Sequence, residues 1–228
     1  MSEPHSAASK RIVFVTGATG LMGSHLVPEL IRRGHEVRAL VRLGSEKKIP
    51  AGCSPVIGDA LKKESYANQI APADTFVQLV GVAHPNPSKA AEFREVDLQS
   101  ARDAVSAARE AGSRHFVYVS VAQPAPVMKA YLAVRAECEE IIRESGLSAT
   151  ILRPWYVLGP GRLWPLALLP MYWIAELIPS TREGAHRLGL VTITQMVAAL
   201  AGAVENQPEA VRILDVLAIR AAGTASPA

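Results

Sequence analysis

The sequence predicts an α/β fold built on a doubly wound parallel sheet. Short β-branched runs alternate with helical patterns, several of those runs are apolar throughout, and a glycine-rich turn joins the first run to the first helix. Strands that are apolar on both faces need helices on both sides, and a right-handed crossover supplies them.

RIVFVTG (11 to 17) and HEVRALV (35 to 41) read as the first two strands. Between them Leu26, Val27, Leu30 and Ile31 recur at helical spacing, and Gly34 is placed to end the helix. SPVIGD (54 to 59) reads as a third strand, followed by a polar helix candidate. DTFVQLVG (74 to 81) is a nearly continuous apolar run, as expected of a strand covered on both faces. A long helix is expected around 88 to 111, ending at Gly112. RHFVYVS (114 to 120), a helix containing AYLAVRAECE (130 to 139), and LSATILRP (147 to 154) follow. Beyond them no seventh repeat is evident. LVTITQMVAALAGAV (190 to 204) reads as a helix with Thr192 and Gln195 at capping-box spacing, and VRILDVLAI (211 to 219) reads as a terminal strand.

Composition narrows the function classes. The chain has 228 residues, 49% of them apolar and 20% charged, which is enough to bury a core and excludes disorder as the main state. Its net charge of +3 is dispersed, with no basic block that calls for nucleic acid. The two cysteines, Cys53 and Cys138, lie far apart and the six histidines are scattered, so neither a disulfide framework nor a metal site is indicated. A reducing cytoplasm is the expected location. Residues 1 to 10 lack the apolar core of a secretory signal and read as a loose tail. WPLALLPMYWIAELIP (164 to 179) is shorter than the roughly 20 residues that span a bilayer, and Pro170 and Glu176 interrupt it.

FVTGATGLMGSHL (14 to 26) carries the most specific pattern. Gly17, Gly20 and Gly23 are spaced G-x-x-G-x-x-G between a strand and a helix. Gly17 suits the tight turn, Gly20 lets the backbone approach a pyrophosphate at the helix N-terminus, and Gly23 permits close helix packing. Dinucleotide binding follows from the motif in this context. The end of the second strand bears on which dinucleotide. No carboxylate stands there to take the ribose hydroxyls of NAD, whereas Arg42 offers a planar charged fork for the extra phosphate of NADP. NADP is therefore the expected cofactor, with NAD the alternative.

These residues resemble the short-chain dehydrogenase/reductase superfamily, in its atypical, extended-like branch related to NAD-dependent epimerases and dehydratases. The resemblance rests on TGATGLMG, the Gly58-Asp59 pair, VYVS and ILRPWYVLGPG, with a weaker echo in RLGLVTITQM. It implies a Rossmann sheet in the order 3-2-1-4-5-6 over residues 11 to 154. It also implies a small substrate-side region over 155 to 222, and 223 to 228 are left as a tail. The nicotinamide cofactor would lie against Thr16, Gly17, Thr19, Gly20, Leu21, Met22 and Gly23, then Arg42, Asp59 and Ala60. Val80, Gly81 and Val82, with Tyr131, Arg135 and Pro154, would complete its surroundings. Asp59 reads equally as a cap for the segment that follows it.

In this family a tyrosine is the acid/base group, a lysine follows four residues later, and an upstream serine or threonine holds the reacting oxygen. Tyr131 and Ser120 match two of these positions, and Arg135 stands at the third. A tyrosine ordinarily titrates near ~10, so proton exchange at neutral pH needs a nearby cation, and a spacing of four puts Arg135 on the same helical face. Arginine keeps the charge but loses the compact ammonium and effectively never releases its proton. Against this stands an amphipathic face of Tyr131, Val134, Cys138, Ile141 and Ile142 with Arg135 in solvent beside it. Ser120 reads either as the group that polarises a substrate oxygen or as a strand-end serine satisfying backbone.

Trp155, Trp164 and Trp173 cluster with Tyr156 and Tyr172. They read as walls of an apolar cleft, a homodimer contact, a peripheral membrane contact through 164 to 179, or the core of a small cap. The cleft is preferred because the segment follows the sixth strand. Arg182, His186 and Arg187 read as holders of an acidic substrate group or as solvated surface. The function expected is an NADP-dependent oxidoreductase acting on a small, rather apolar carbonyl, alcohol or quinone-like compound. A non-catalytic NADP(H)-binding sensor or assembly protein is the alternative, and a sugar-nucleotide epimerase or dehydratase ranks third.

Overall fold

The computed structural model of the chain describes residues 10–160, 183–184 and 187–224. Trp164, Trp173, Tyr172, Arg182, His186 and the 164 to 179 segment lie outside the described residues. The β-branched runs become β1 (Ile12–Thr16), β2 (Glu36–Val41), β3 (Cys53–Ile57), β4 (Thr75–Gln78), β5 (His115–Val119) and β6 (Ser148–Leu152). All pair in parallel, in the order β3-β2-β1-β4-β5-β6, the arrangement that the resemblance implies. β7 (Tyr156–Leu158) and β8 (Leu190–Thr192) form a separate parallel pair, and β9 (Val211–Leu214) joins the main sheet beside β6 as a seventh strand.

Two apolar cores flank the sheet. On one face α1 (Gly23–Arg32) packs through Leu26, Val27 and Leu30 with α5 (Ile193–Glu205) and α6 (Val216–Thr224). On the other, a single turn α2 (Ala90–Glu92) leads through a π-helical stretch, Phe93–Leu98, into α3 (Gln99–Glu110). α3 packs there with α4 (Lys129–Glu144). Phe14, Phe76 and Phe116 hold matched registers on β1, β4 and β5, with neighbouring ring centroids 5.2 and 5.4 Å apart. Each fully buried side chain of this kind contributes roughly 1.5–3 kcal/mol.

Three expectations need correction. The terminal run 211 to 219 is not one strand. Asp215 accepts the N–H of Ala218 at 2.8 Å and its carbonyl accepts that of Ile219, so it starts α6 and ends the ladder after Leu214. The first part of the run, Val211–Leu214, is the expected terminal strand and pairs in parallel with β6. The polar helix candidate after β3 is instead two 3₁₀ turns, Lys63–Ser65 and Ala67–Gln69. The Ser65 hydroxyl accepts from the Asp59 N–H and donates to the Lys62 carbonyl, which ties the chain into a loop. Finally, the helix expected over 88 to 111 is interrupted by the π-helical stretch. The capping box is present as expected: Thr192 Oγ1 accepts from Gln195 N–H at 3.2 Å, and Gln195 Oε1 accepts from Thr192 N–H at 2.8 Å.

Candidate functional site

The C-terminal ends of β1, β4, β5 and β6 open into a cleft of about 580 Å³, where ligands of doubly wound sheets collect. The glycine turn forms one wall. Gly17 adopts φ +71°, and a Cβ there would come within 2.8 Å of the Leu79 backbone. A Cβ on Gly23 would lie 2.4 Å from the Gly17 carbonyl oxygen, so α1 begins as close to β1 as backbone allows. The first N–H groups of a helix have no intrahelical acceptor, and residues 20 to 23 line the cleft. A bare backbone concavity at the positive end of a ten-residue helix fits a pyrophosphate. A sequence profile of the NAD(P)H-binding family matches residues 17–160, the span that builds this wall and the cleft floor.

The chain belongs to the NAD(P)H-binding family. Among relatives of this family member, a ceramide reductase of Caulobacter vibrioides is 28% identical over 84% of the chain, which spans 60% of that protein's length. A 3-diazoavenalumate denitrifying reductase of a Streptomyces species is 29% identical over 86% of the chain and 72% of the relative. The Bordetella bronchiseptica enzyme WbmH, solved in complex with NAD+, superposes with a TM-score of 0.68 at 20% identity. That superposition covers 91% of the chain and 76% of WbmH, and it reports the fold.

Of the residues singled out in the sequence, Gly17, Gly20, Leu21, Met22, Gly23, Gly81 and Val82 line the cleft. Ser120, Tyr131, Arg135 and Pro154 line it too. Thr16 is buried beneath the turn, where it bonds to the side chain of Gln78. Thr19 is exposed, and neither it nor Val80 lines the cleft. Arg42 is exposed just past β2, and Asp59 and Ala60 follow β3, its neighbour in the sheet. Asp59 Oδ1 accepts the N–H of Leu61 at 3.0 Å, which fits its reading as a local cap. Trp155 and Tyr156 line the cleft, in keeping with the apolar-wall reading for that part of the aromatic cluster. Arg187 donates to the Pro124 carbonyl at 3.1 Å and lies 3.4 Å from Glu183.

Tyr131 is half-buried, with its ring 5.0 Å from Phe93 and 5.1 Å from the Arg135 guanidinium carbon. Its hydroxyl makes no hydrogen bond among the described residues. Arg135 is not in solvent but 6% exposed. One terminal nitrogen donates to the Val119 carbonyl at 2.8 Å and the Tyr118 hydroxyl at 2.9 Å, and the other pairs with Asp97. Burial raises the Asp97 carboxyl above its ordinary value, against the opposing pull of Arg135 and the Val82 N–H. Gly81 is what makes room, since a Cβ there would approach Arg135 within 2.5 Å.

Three participants were missed in the sequence: Asp97, Tyr118 and Glu139. Glu139 is fully buried on α4, one turn after Arg135. Its Oε1 accepts from Ser120 Oγ at 2.6 Å, Gln123 at 2.9 Å and Arg153 Nε at 2.9 Å. Its Oε2 accepts from Arg143 at 2.8 Å and again from Arg153. Burial tends to raise this carboxyl, yet the bonds from Arg153 and Ser120 bring it below its ordinary value. The available signal was an arginine and a glutamate four apart on a helix face otherwise made of Val134, Cys138 and Ile142. Asp97 gave no such signal, because its approach depends on the π-helical stretch that contains it. Among the described residues no cluster of His, Cys, Asp and Glu has metal-binding geometry, and no helix is long and apolar enough to cross a membrane.

Proposed function

We propose that the protein is an NADP-dependent oxidoreductase of the atypical short-chain class, acting on a small, rather apolar carbonyl, alcohol or quinone-like compound. The observation that carries this reading is Tyr131, half-buried in the same cleft as the glycine turn, with its ring against a buried guanidinium. A nicotinamide cofactor supplies or accepts the hydride when bound. Gly17, Gly20 and Gly23 hold its pyrophosphate, and Arg42 takes the additional phosphate that distinguishes NADP. Tyr131 gives a proton to, or takes it from, the reacting oxygen, in a cleft whose other walls include Val82, Val121, Trp155 and Val157. Two of the relatives are named as reductases, one of them of ceramide, which supports the reductive direction and an apolar substrate.

Arg135 acts in this scheme through Tyr131 and the cleft floor. Both terminal nitrogens are engaged by protein, so ribose binding by this residue is no part of the proposal. That same engagement favours a second reading, an NADP(H)-binding protein without turnover. Tryptophan fluorescence titrated with NADPH and NADH, then NADPH oxidation with a panel of ketones and quinones, separates the two. Tighter binding of NADPH and turnover that vanishes in Tyr131→Phe are expected. Binding without turnover on any compound favours the second reading, and failure to bind either nucleotide removes both.

A further inference from the structure

Ser120 and Glu139 meet at the boundary between two cavities. Ser120 lines the main cleft, and Glu139 lines a second cavity of about 390 Å³ with Gln123, Arg143 and Arg153. A serine hydroxyl has one proton and two lone pairs. Here the Oγ···Oε1 distance of 2.6 Å is typical of a hydroxyl donating to an ionised carboxylate. The carboxylate is held ionised by two arginines, and it has no proton to give. The direction of the bond is therefore fixed: Ser120 donates and Glu139 accepts.

We infer that Glu139 is a positioning residue that accepts the one hydrogen bond the Ser120 hydroxyl can donate, so that Ser120 meets a ligand in the cleft as a hydrogen-bond acceptor. A bare carbonyl oxygen gains nothing from Ser120, because both groups are then acceptors. Tyr131 is left as the donor to that oxygen. A ligand that brings its own hydroxyl beside the carbonyl satisfies both, its carbonyl receiving from Tyr131 and its hydroxyl donating to Ser120. The substrate class selected is thus an α-hydroxy carbonyl compound, or the diol formed from it. This rests on the proposed use of the cleft as the substrate site, and it deepens that reading by assigning Ser120 the opposite sense of hydrogen bonding.

The test uses acetophenone and α-hydroxyacetophenone, titrated against the full chain by tryptophan fluorescence with and without NADP. The native protein is expected to bind the hydroxy ketone roughly five- to tenfold more tightly, the worth of one ordinary hydrogen bond, with the ratio falling to about one in Ser120→Ala. In Glu139→Leu no acceptor remains at this position for Ser120, its hydroxyl is free to turn into the cleft, and the preference is expected to shrink or reverse. Equal affinities in the native protein, or a preference that persists in Ser120→Ala, overturn the inference. Neutron diffraction of deuterated native protein supplies a readout that needs no ligand: deuterium between Ser120 and Glu139 supports it, and deuterium directed into the cleft overturns it. Absence of NADPH oxidation with either ketone counts against the oxidoreductase reading, while the binding ratio and the deuterium position still decide the role of Ser120.

Discussion

Arg135 is the residue on which sequence and structure inform each other most. Its spacing from Tyr131 was legible, and the structure keeps the two on one face, with the guanidinium carbon 5.1 Å from the tyrosine ring. Its partners were not legible, because Asp97 is 38 positions away and Tyr118 looks like any other strand residue. Removing one member of a buried ion pair leaves the other charge unpaired. Asp97→Ala is accordingly expected to lower stability by roughly 3–5 kcal/mol in urea unfolding, and Asp97→Ala combined with Arg135→Leu to recover part of the loss. Tyr131→Phe, whose hydroxyl bonds to no described residue, is expected to leave the unfolding midpoint nearly unchanged while abolishing turnover. A loss of stability comparable to that of Asp97→Ala would assign Tyr131 to the core instead.

At the scale of elements, local signals were readable where the chain satisfies its own backbone and hidden where it does not. The box formed by Thr192 and Gln195 is one such local signal, and both of its hydrogen bonds are present at the start of α5. Thr192→Ala is expected to cost about 1 kcal/mol, measured as a shift in the urea midpoint with unchanged slope. The glycine turn was equally readable, because strand, turn and helix follow one another within the motif. Gly23→Ala places a methyl group 2.4 Å from a carbonyl oxygen, so α1 must move away from β1. Loss of nucleotide binding by at least tenfold is expected in the same fluorescence titration, larger than for Gly20→Ala, where the nearest atom is 3.3 Å away. The end of β9 was misread for the opposite reason: VRILDVLAI is apolar enough for a strand throughout, and only the side chain of Asp215 marks the change to helix.

The molecule as a whole buries polar groups within its sheet, and His115 gives that arrangement a pH dependence. It begins β5, between β4 and β6, 1% exposed, with Nε2 3.0 Å from Thr150 Oγ1. Burial, then the charges of Arg212 and Arg11, push its pKa down to about 4 from the ordinary 6.5. The folded protein therefore holds this imidazole neutral while the unfolded chain protonates it on acidification. Stability is fully present above pH 6.5 and declines as pH falls toward about 4, because the unfolded state then binds more protons. The loss across that window is on the order of 3 kcal/mol. Glu29, brought down to about 2 chiefly by its hydrogen bond from Arg32, loses its contribution at lower pH, beginning below the ordinary carboxylate value of 4.5. Urea unfolding at pH 7 and pH 4.5 is expected to show a marked fall in midpoint for the native chain and a much smaller one for His115→Gln, which has no proton to take up in this range. An equal fall in both would locate the acid sensitivity in the carboxylates rather than in the sheet.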